Sequence, residues 1–274
     1  MFEATYQPLS SEHPDWGQVA VLPWDMEIFG FPVGDLKLGD PRSIVANRTA
    51  FAKALGDWAR RNQVELVSCA IAAGDTPLVA WVQGVGFSYV DSTVQIIQAR
   101  IQKTDFAVPR VKSRCAEPGD EPAVERIAEH AFRSGRYHAD PLFPRDLSER
   151  RYRHWVRNAF STLSPENAVY VMGEPGNVKG FSHIQTTGDS GYVTIIAVDK
   201  DLQGGMAGYD LCLGLMVEWK RAKLRKVVGK TSAANMAMLN MALNFGFRLA
   251  NPQVVLHWHA PNAPHLIPRD MPRA

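Results

Sequence analysis

The spacing of apolar residues changes period repeatedly along the 274-residue chain. Apolar positions three and four apart predict helices over residues 44–61, 76–85, 147–160 and 209–223, with a further helix capped by Asp120 and running to Phe132. Shorter β-branched or alternating runs predict strands over 19–22, 64–72, 89–100, 168–172, 178–186, 192–198, 226–230 and 254–258. Residues 103–110 are polar, contain Pro109 and have no period, which makes them a linker between domains spanning 1–105 and 106–274. Gly86-Phe87 and Gly246-Phe247 each follow a helix, and each glycine is followed eight residues later by a valine, Val94 or Val254. Two readings are open: the first half is a partial copy of the second, or glycine simply suits the end of any helix.

Charge adds little direction. Thirty basic and 28 acidic residues leave a net +2, which demands neither nucleic acid nor an anionic membrane as partner. No apolar run reaches transmembrane length and no secretory signal opens the chain, so a cytoplasmic protein is expected. Cys69, Cys115 and Cys212 lie far apart in apolar surroundings and read as reduced core residues without metal spacing.

Residues 193–210 carry the strongest chemical signal. A β-branched run ends in Gln203-Gly204-Gly205-Met206-Ala207-Gly208, which opens an amphipathic helix. Such a junction aims backbone N–H groups and the positive end of the helix dipole at one point, a cradle for phosphate. The segment resembles motif A of the GCN5-related N-acetyltransferases, the GNAT family, where Gln/Arg-x-x-Gly-x-Gly/Ala binds the pyrophosphate of acetyl-CoA. Gln203 takes the first position and Gly208 the last, while Met206 stands where the family has its middle glycine. Asn235, Gly246 and Phe247 fall at the spacings of the family's Asn-x-x-Ala-x-x-Leu-Tyr-x-x-x-Gly-Phe, with Ala242 at the tyrosine that usually serves as general acid. Trp24–Gly34 and Ser134–Pro144 resemble segments of the two-part amino-sugar acetyltransferases of that family.

The resemblance implies an α/β GNAT fold, a mixed and mostly antiparallel central sheet flanked by helices, preceded by a smaller partial GNAT-like α/β domain. It implies an N-acyltransferase that moves an acyl group from a phosphopantetheine thioester to the amine of a small molecule, such as an amino sugar or a specialised-metabolite intermediate. Transfer would occur by direct attack in a ternary complex. No tightly bound cofactor is expected; the donor is a substrate, either acyl-CoA or an acyl carrier protein. Ala197 and Val198 would hold the pantetheine arm, Gln203, Gly204, Gly205, Met206, Ala207 and Gly208 the phosphates, and Asn235 the arm or an ordered water. Met206 is expected to turn into the core beneath the helix, leaving only its N–H to the ligand.

Candidates for proton transfer are His183, Ser232 and His138, and Tyr137, Asp140 and Thr194 would contact the acceptor. Met206 also motivates a carrier-protein donor, which has one phosphodiester in place of the pyrophosphate and would dock on the basic residues between Lys220 and Lys230. His257 and His259 share a strand face, but no carboxylate or cysteine in their neighbourhood completes a ligand set, so that face is read as solvated or acceptor-lining and no metal is assigned. Monomer and homodimer both remain open. The alternative function is a non-catalytic CoA- or ligand-binding protein of GNAT type, the expectation if the losses at 206 and 242 are those of a degenerate enzyme.

Overall fold

A computed structural model describes residues 4–266. In chain order the elements are β1 (Gln7–Pro8), β2 (Gly17–Val21), α1 (Pro23–Phe29), β3 (Val33–Leu38), α2 (Pro41–Val45), α3 (Arg48–Arg61), β4 (Leu66–Ala72), α4 (Thr76–Val85) and β5 (Ser88–Gln98). There follow β6 (Ser113–Cys115), α5 (Glu121–Ala131), α6 (Arg136–Ala139), α7 (Arg145–Ser161), β7 (Asn167–Met172), β8 (Gly180–Thr187), β9 (Ser190–Val198), α8 (Ala207–Arg221), β10 (Lys226–Ser232), α9 (Met236–Asn244) and β11 (Arg248–His259). Among the described residues, no helix is long and apolar enough to cross a membrane.

The chain packs as two units that interleave in sequence. The first takes 4–93, 134–151 and 252–266; the second takes 94–133 and 152–251. The sequence places one boundary near residue 105, whereas the strands β5 and β11 each begin in one unit and end in the other. In the first unit β1, β2 and β3 run antiparallel, β3 and β4 parallel, and β4 antiparallel to the C-terminal part of β11. In the second, β6, β7, β8 and β9 form an antiparallel run and β9 pairs in parallel with β10.

Each unit buries both faces of its strands. In the first, Val67, Cys69, Ile71 and Leu256 face Phe51, Leu55 and Trp58 of α3 and Trp81 of α4. Leu66 points the other way, toward Phe29, Tyr137 and Phe143, as the two-residue period of a strand requires. In the second unit, Leu211, Leu215 and Trp219 of α8 and Leu239 of α9 cover one face, and Val124, Ile127 and Val156 of α5 and α7 the other.

The internal repeat runs further than the sequence shows. β3, α3, β4, α4 and β5 recur as β9, α8, β10, α9 and β11; Leu66–Ala72 answers to Lys226–Ser232 at an offset of 160 residues, whereas Val33, opposite Leu66, answers to Ser190, opposite Lys226, at an offset of 157. The two short helices are capped alike. Asp75 accepts from the Leu78 N–H at 3.2 Å and Asn235 from the Met238 N–H at 3.1 Å, and left-handed Gly86 and Gly246 follow their C-termini.

One predicted element splits, and others are additional. The single helix expected over 44–61 is two, α2 and α3, separated at Ala46–Asn47. β3 and α1 are additional: Gly34, Asp35 and Lys37 interrupt the apolar alternation of β3, and Pro23 at the start of α1 reads equally as a loop residue.

Candidate active site

The site is built where β9 and β10 part. Their parallel ladder joins Ser190–Val193 to Lys226–Gly229 and then stops, leaving 194–198 and 230–232 unpaired with each other. A bulge lies beside the parting, in the pairing of β9 with its other neighbour. The register of β8 against β9 shifts between His183 and Ile184, so Thr194 is an extra residue in the ladder. Val193 and Ile196 accordingly pack on one core although they are three residues apart, while Ile195 and Ala197 face the opposite core; only a bulged strand gives that pattern. Beyond the bulge, the side of β9 turned toward β10 presents main-chain N–H and C=O groups that an amide-bearing arm can pair with.

β9 leads into the glycine loop. Gly204 takes φ 79°, a region open to glycine without strain. Met206, with φ −79° and ψ −8°, occupies the N-cap of the 15-residue α8, a conformation that any residue adopts. Its side chain is 55% exposed. The expectation that it turns into the core is therefore corrected: at a helix N-cap the side chain leaves the axis outward. The backbone N–H groups of Gly204, Met206, Ala207 and Gly208 find no acceptor among the described residues, as expected of the first turn of a helix. Gln203 contributes less, because its N–H bonds the Lys200 carbonyl at 3.3 Å and its side chain reaches the Ala131 carbonyl at 3.4 Å. At Gly208 a Cβ would come within 2.9 Å of Met241 Cε, the end of a flexible side chain that can move aside.

The side chains named from sequence divide between the two units. In the second, His183 is buried, and burial pushes its imidazole down to about 4, so it is neutral near pH 7. Thr194 Oγ1 lies 2.6 Å from its Nδ1 and Asn167 Oδ1 lies 2.8 Å from its Nε2. The Asn167 amide nitrogen donates to the Thr162 carbonyl and hydroxyl, which fixes its Oδ1 as acceptor and hence His183 Nε2 as donor; the Thr194 hydroxyl then donates to Nδ1. Both nitrogens are occupied, and no lone pair faces a substrate. Ser232 closes β10, its Oγ accepting from the Ala234 N–H at 3.2 Å. Asn235 spends its Oδ1 on the α9 cap and keeps its amide nitrogen. Ala242 is buried and offers no acid.

Tyr137, His138 and Asp140 belong to the first unit. There the two sequence segments around Trp24 and Tyr137 meet at Asp25, which accepts from the Tyr137 hydroxyl at 2.8 Å and from Arg151 Nε at 3.0 Å, with Arg136 3.6 Å away. The guanidinium groups of Arg151 and Arg136 overcome burial and hold the Asp25 carboxyl below the usual range. Tyr137 and Asp140 are buried within this unit, and His138 is half-buried on α6. The solvated face expected for His257 and His259 is also corrected. Asp140 Oδ2 lies 2.7 Å from His257 Nδ1 and 2.8 Å from His259 Nε2, supplying the carboxylate that the local sequence lacks.

A cavity of about 450 Å³ in the second unit was not anticipated. Tyr209, Phe106, Phe245 and Asn244 line it together with Arg100 and Arg248, and neither guanidinium has an ion-pair partner among the described residues. Nothing in the local sequence joins these two arginines, which stand just past β5 and at the head of β11.

The architecture and the parted parallel strands are those of the GCN5-related N-acetyltransferase fold. A GCN5-related N-acetyltransferase from Sphaerobacter thermophilus superposes with a TM-score of 0.65 at 16% identity, over 90% of this chain and 78% of its own. A tandem GNAT protein from the clavulanic acid biosynthesis pathway does so with a TM-score of 0.56 at 19% identity, over 89% and 79%. Among curated relatives, the chain is 26% identical over 132 residues to the spore coat polysaccharide biosynthesis protein SpsD of Bacillus subtilis, covering 48% of this chain and 45% of that protein. It is 24% identical over 168 residues to the dTDP-fucosamine acetyltransferase of Escherichia coli, covering 61% and 67%. The chain thus matches about half the length of the first relative and two thirds of the second. No protein-family model matches the chain.

Proposed function

We propose that the chain is a GNAT-type N-acyltransferase that takes its acyl group from acyl-CoA and places it on the amine of a small molecule. The observation that carries this reading is the parting of β9 and β10 beyond Val193 and Gly229, at the mouth of a loop in which the N–H groups of Gly204, Met206, Ala207 and Gly208 have no acceptor among the described residues. The amides of a pantetheine arm would pair with the free side of β9 around Ala197 and Val198, and the pyrophosphate would sit on Gly204–Gly208. The relative that acetylates dTDP-fucosamine supports an amine borne on a sugar as acceptor class.

Two observations favour CoA over a carrier protein. Met206 points outward and leaves the cradle's N–H groups in place. The cavity beside Tyr209 brings two unpaired arginines and aromatic rings to the first turn of α8, a setting suited to a phosphorylated nucleoside. Of the basic residues between Lys220 and Lys230, those from Lys220 to Lys226 lie at or past the C-terminus of α8, about 22 Å from the loop at 1.5 Å per residue. A carrier bound there would approach the wrong end of the helix.

In the reaction, the acceptor amine, having lost a proton to water, attacks the thioester carbonyl. The C–S bond of the tetrahedral intermediate then breaks, and the second nitrogen proton ends on the sulfur. A thiol near pKa 8.5 leaves readily as thiolate, so Ala242 in place of an acid is tolerated. His183 holds Thr194 and the bulge, and so acts as a positioning residue for β9. Ser232, at the open end of β10, is the hydroxyl proposed to hold the water that receives the first proton.

Thiol release from acetyl-CoA, longer acyl-CoAs and an acylated carrier protein, measured with nucleotide amino sugars and simple amines, tests the reading. Turnover with acyl-CoA is expected. CoA binding by calorimetry without turnover across the amine panel would move the chain to the non-catalytic alternative. Turnover with the carrier protein alone would reverse the choice of donor.

A further inference from the structure

We propose that Asp140, His257 and His259 of the first unit form a binding site for a divalent transition-metal ion, best suited to zinc. The three donor atoms, Asp140 Oδ2, His257 Nδ1 and His259 Nε2, lie within 4.8 Å of one another. Two come from alternate positions of one strand, β11, whose partner β4 pairs with it from Gln253 to His259, so both imidazoles project from the same face of a rigid element. The third arrives from the end of α6, where the other carboxylate oxygen, Oδ1, accepts from the Leu142 N–H at 2.9 Å. Metal-ligating carboxylates are commonly held by this kind of outer hydrogen bond.

The charge balance points to a cation. Asp140 is wholly buried, and its contacts within hydrogen-bond distance are two imidazoles and an amide. The neighbouring guanidinium, Arg136, is committed to Asp25, to the Tyr137 hydroxyl and to Ser68 Oγ. A buried carboxylate without a cationic partner is costly. His257 is equally buried, and its Nε2 has no hydrogen-bond partner among the described residues, so Nδ1 makes the ring's hydrogen bond. His259 keeps 15% of its side chain accessible, which gives an ion a route in and leaves positions for water. Two imidazole nitrogens and one carboxylate form a set that zinc, cobalt and nickel accept and that magnesium and calcium do not favour. Tetrahedral bonds of about 2.0–2.1 Å would separate the donor atoms by roughly 3.3 Å, so the two carboxylate–imidazole contacts would open by about half an ångström and the two imidazole nitrogens, within 4.8 Å of each other, would settle at the same spacing. The ion would tie the 134–151 segment to β11 inside the first unit.

The test uses the full chain without an affinity tag, stripped with a chelator. Titration with Zn²⁺ followed by calorimetry and native mass spectrometry is expected to show one ion per chain at micromolar Kd or tighter. Saturating Zn²⁺ should raise Tm by about 5 °C. Co²⁺ should give the ligand-field spectrum of a nitrogen–oxygen site. His259→Gln, at the accessible ligand, should fold normally by circular dichroism and weaken binding at least 100-fold; Asp140→Asn serves as the second variant. Absence of stoichiometric binding, or binding unchanged in a folded His259→Gln chain, overturns the proposal and leaves a cluster held by protons alone.

Discussion

The donor cleft of the second unit and its counterpart 160 residues earlier start from the same elements and end differently. In the second unit the parallel ladder stops at Val193, ahead of the bulge at Thr194. In the first, the ladder between β3 and β4 also ends after four pairs, at Leu36 and Cys69, and Cys69 answers to Gly229; there, however, no register shift interrupts β3. The glycine loop Gln203–Gly208 answers to Ser43–Arg48, and there the chain folds into α2. Ile44 is fully buried, the Trp81 indole donates to the Val45 carbonyl at 3.2 Å, and the Arg48 side chain lies against Gly84. A cavity of about 440 Å³ survives at the ends of β3 and β4, but Asp35 and Asp75 line it with Lys37, a poor setting for phosphate. Strand, helix and strand are thus not sufficient for a donor site. The bulge and an uncovered helix start make the difference.

Packing in the first-unit turn is where the largest effect is expected. Ile44→Ala empties a fully buried position and should cost about 2–5 kcal/mol of stability in chemical denaturation. Donor Kd, measured where the variant is still folded, should not change. A parallel loss of donor affinity would show that the two clefts are not independent.

Charge separates the clefts next. Met206→Glu puts a carboxylate at the N-cap of α8, where it favours the helix by a few tenths of a kcal/mol but repels the donor's phosphates. KM for acyl-CoA should rise about 100-fold, near 2.7 kcal/mol, with Tm unchanged or slightly higher. The matched substitution Ala46→Glu, at the exposed counterpart, should leave KM unchanged. Equal effects would erase the distinction.

Each unit also buries a neutral histidine, His183 in one and His257 in the other, both pushed down to about 4 by burial. An unfolded imidazole binds its proton near 6.5, so the unfolded state holds more protons between these values. Stability is therefore fully present above pH 6.5 and is lost as pH falls toward 4, by about 2 kcal/mol per residue after allowance for relaxation. His183→Asn should halve the slope of stability against pH in that window. An unchanged slope would mean that His183 is charged in the folded state.

The cavity arginines should matter less. Arg248→Ala is expected to raise KM for acetyl-CoA about tenfold, or 1.4 kcal/mol, and to leave KM for acetyl-dephospho-CoA unchanged. An equal loss with both donors would remove the 3′-phosphate from that cavity.

How much of this was legible follows from range. Helix α4 is found at its true bounds, 76–85, because the Asp75 cap and the C-terminal Gly86 are local signals. The glycine loop and its helix are legible for the same reason. The bulge at Thr194 is not, since it depends on how His183 registers against the next strand. Asp140 meets His257 across 117 residues, and no local pattern announces that contact. The repeat shows in sequence at little more than Gly-Phe and the valine that follows it, because the two cores keep burial and period while exchanging most side chains.

The smallest effect is the most discriminating. Asp75→Ala and Asn235→Ala each remove an N-cap that accepts from the third backbone N–H of its helix, and each should cost about 1 kcal/mol of stability. If the caps were all that the two residues do, the variants would be indistinguishable. Asn235 alone keeps a spare amide nitrogen at the head of α9, beside the open end of β10. Asn235→Ala should therefore also raise KM for the donor severalfold, with kcat little changed, because a hydrogen bond to the arm is made equally before and during transfer. Asn235→Asp keeps the cap and replaces the donor amide, so it should restore stability but not KM. Asp75→Ala should move stability only. A common response in KM would mean that Asn235 acts through the helix it caps, as Asp75 does.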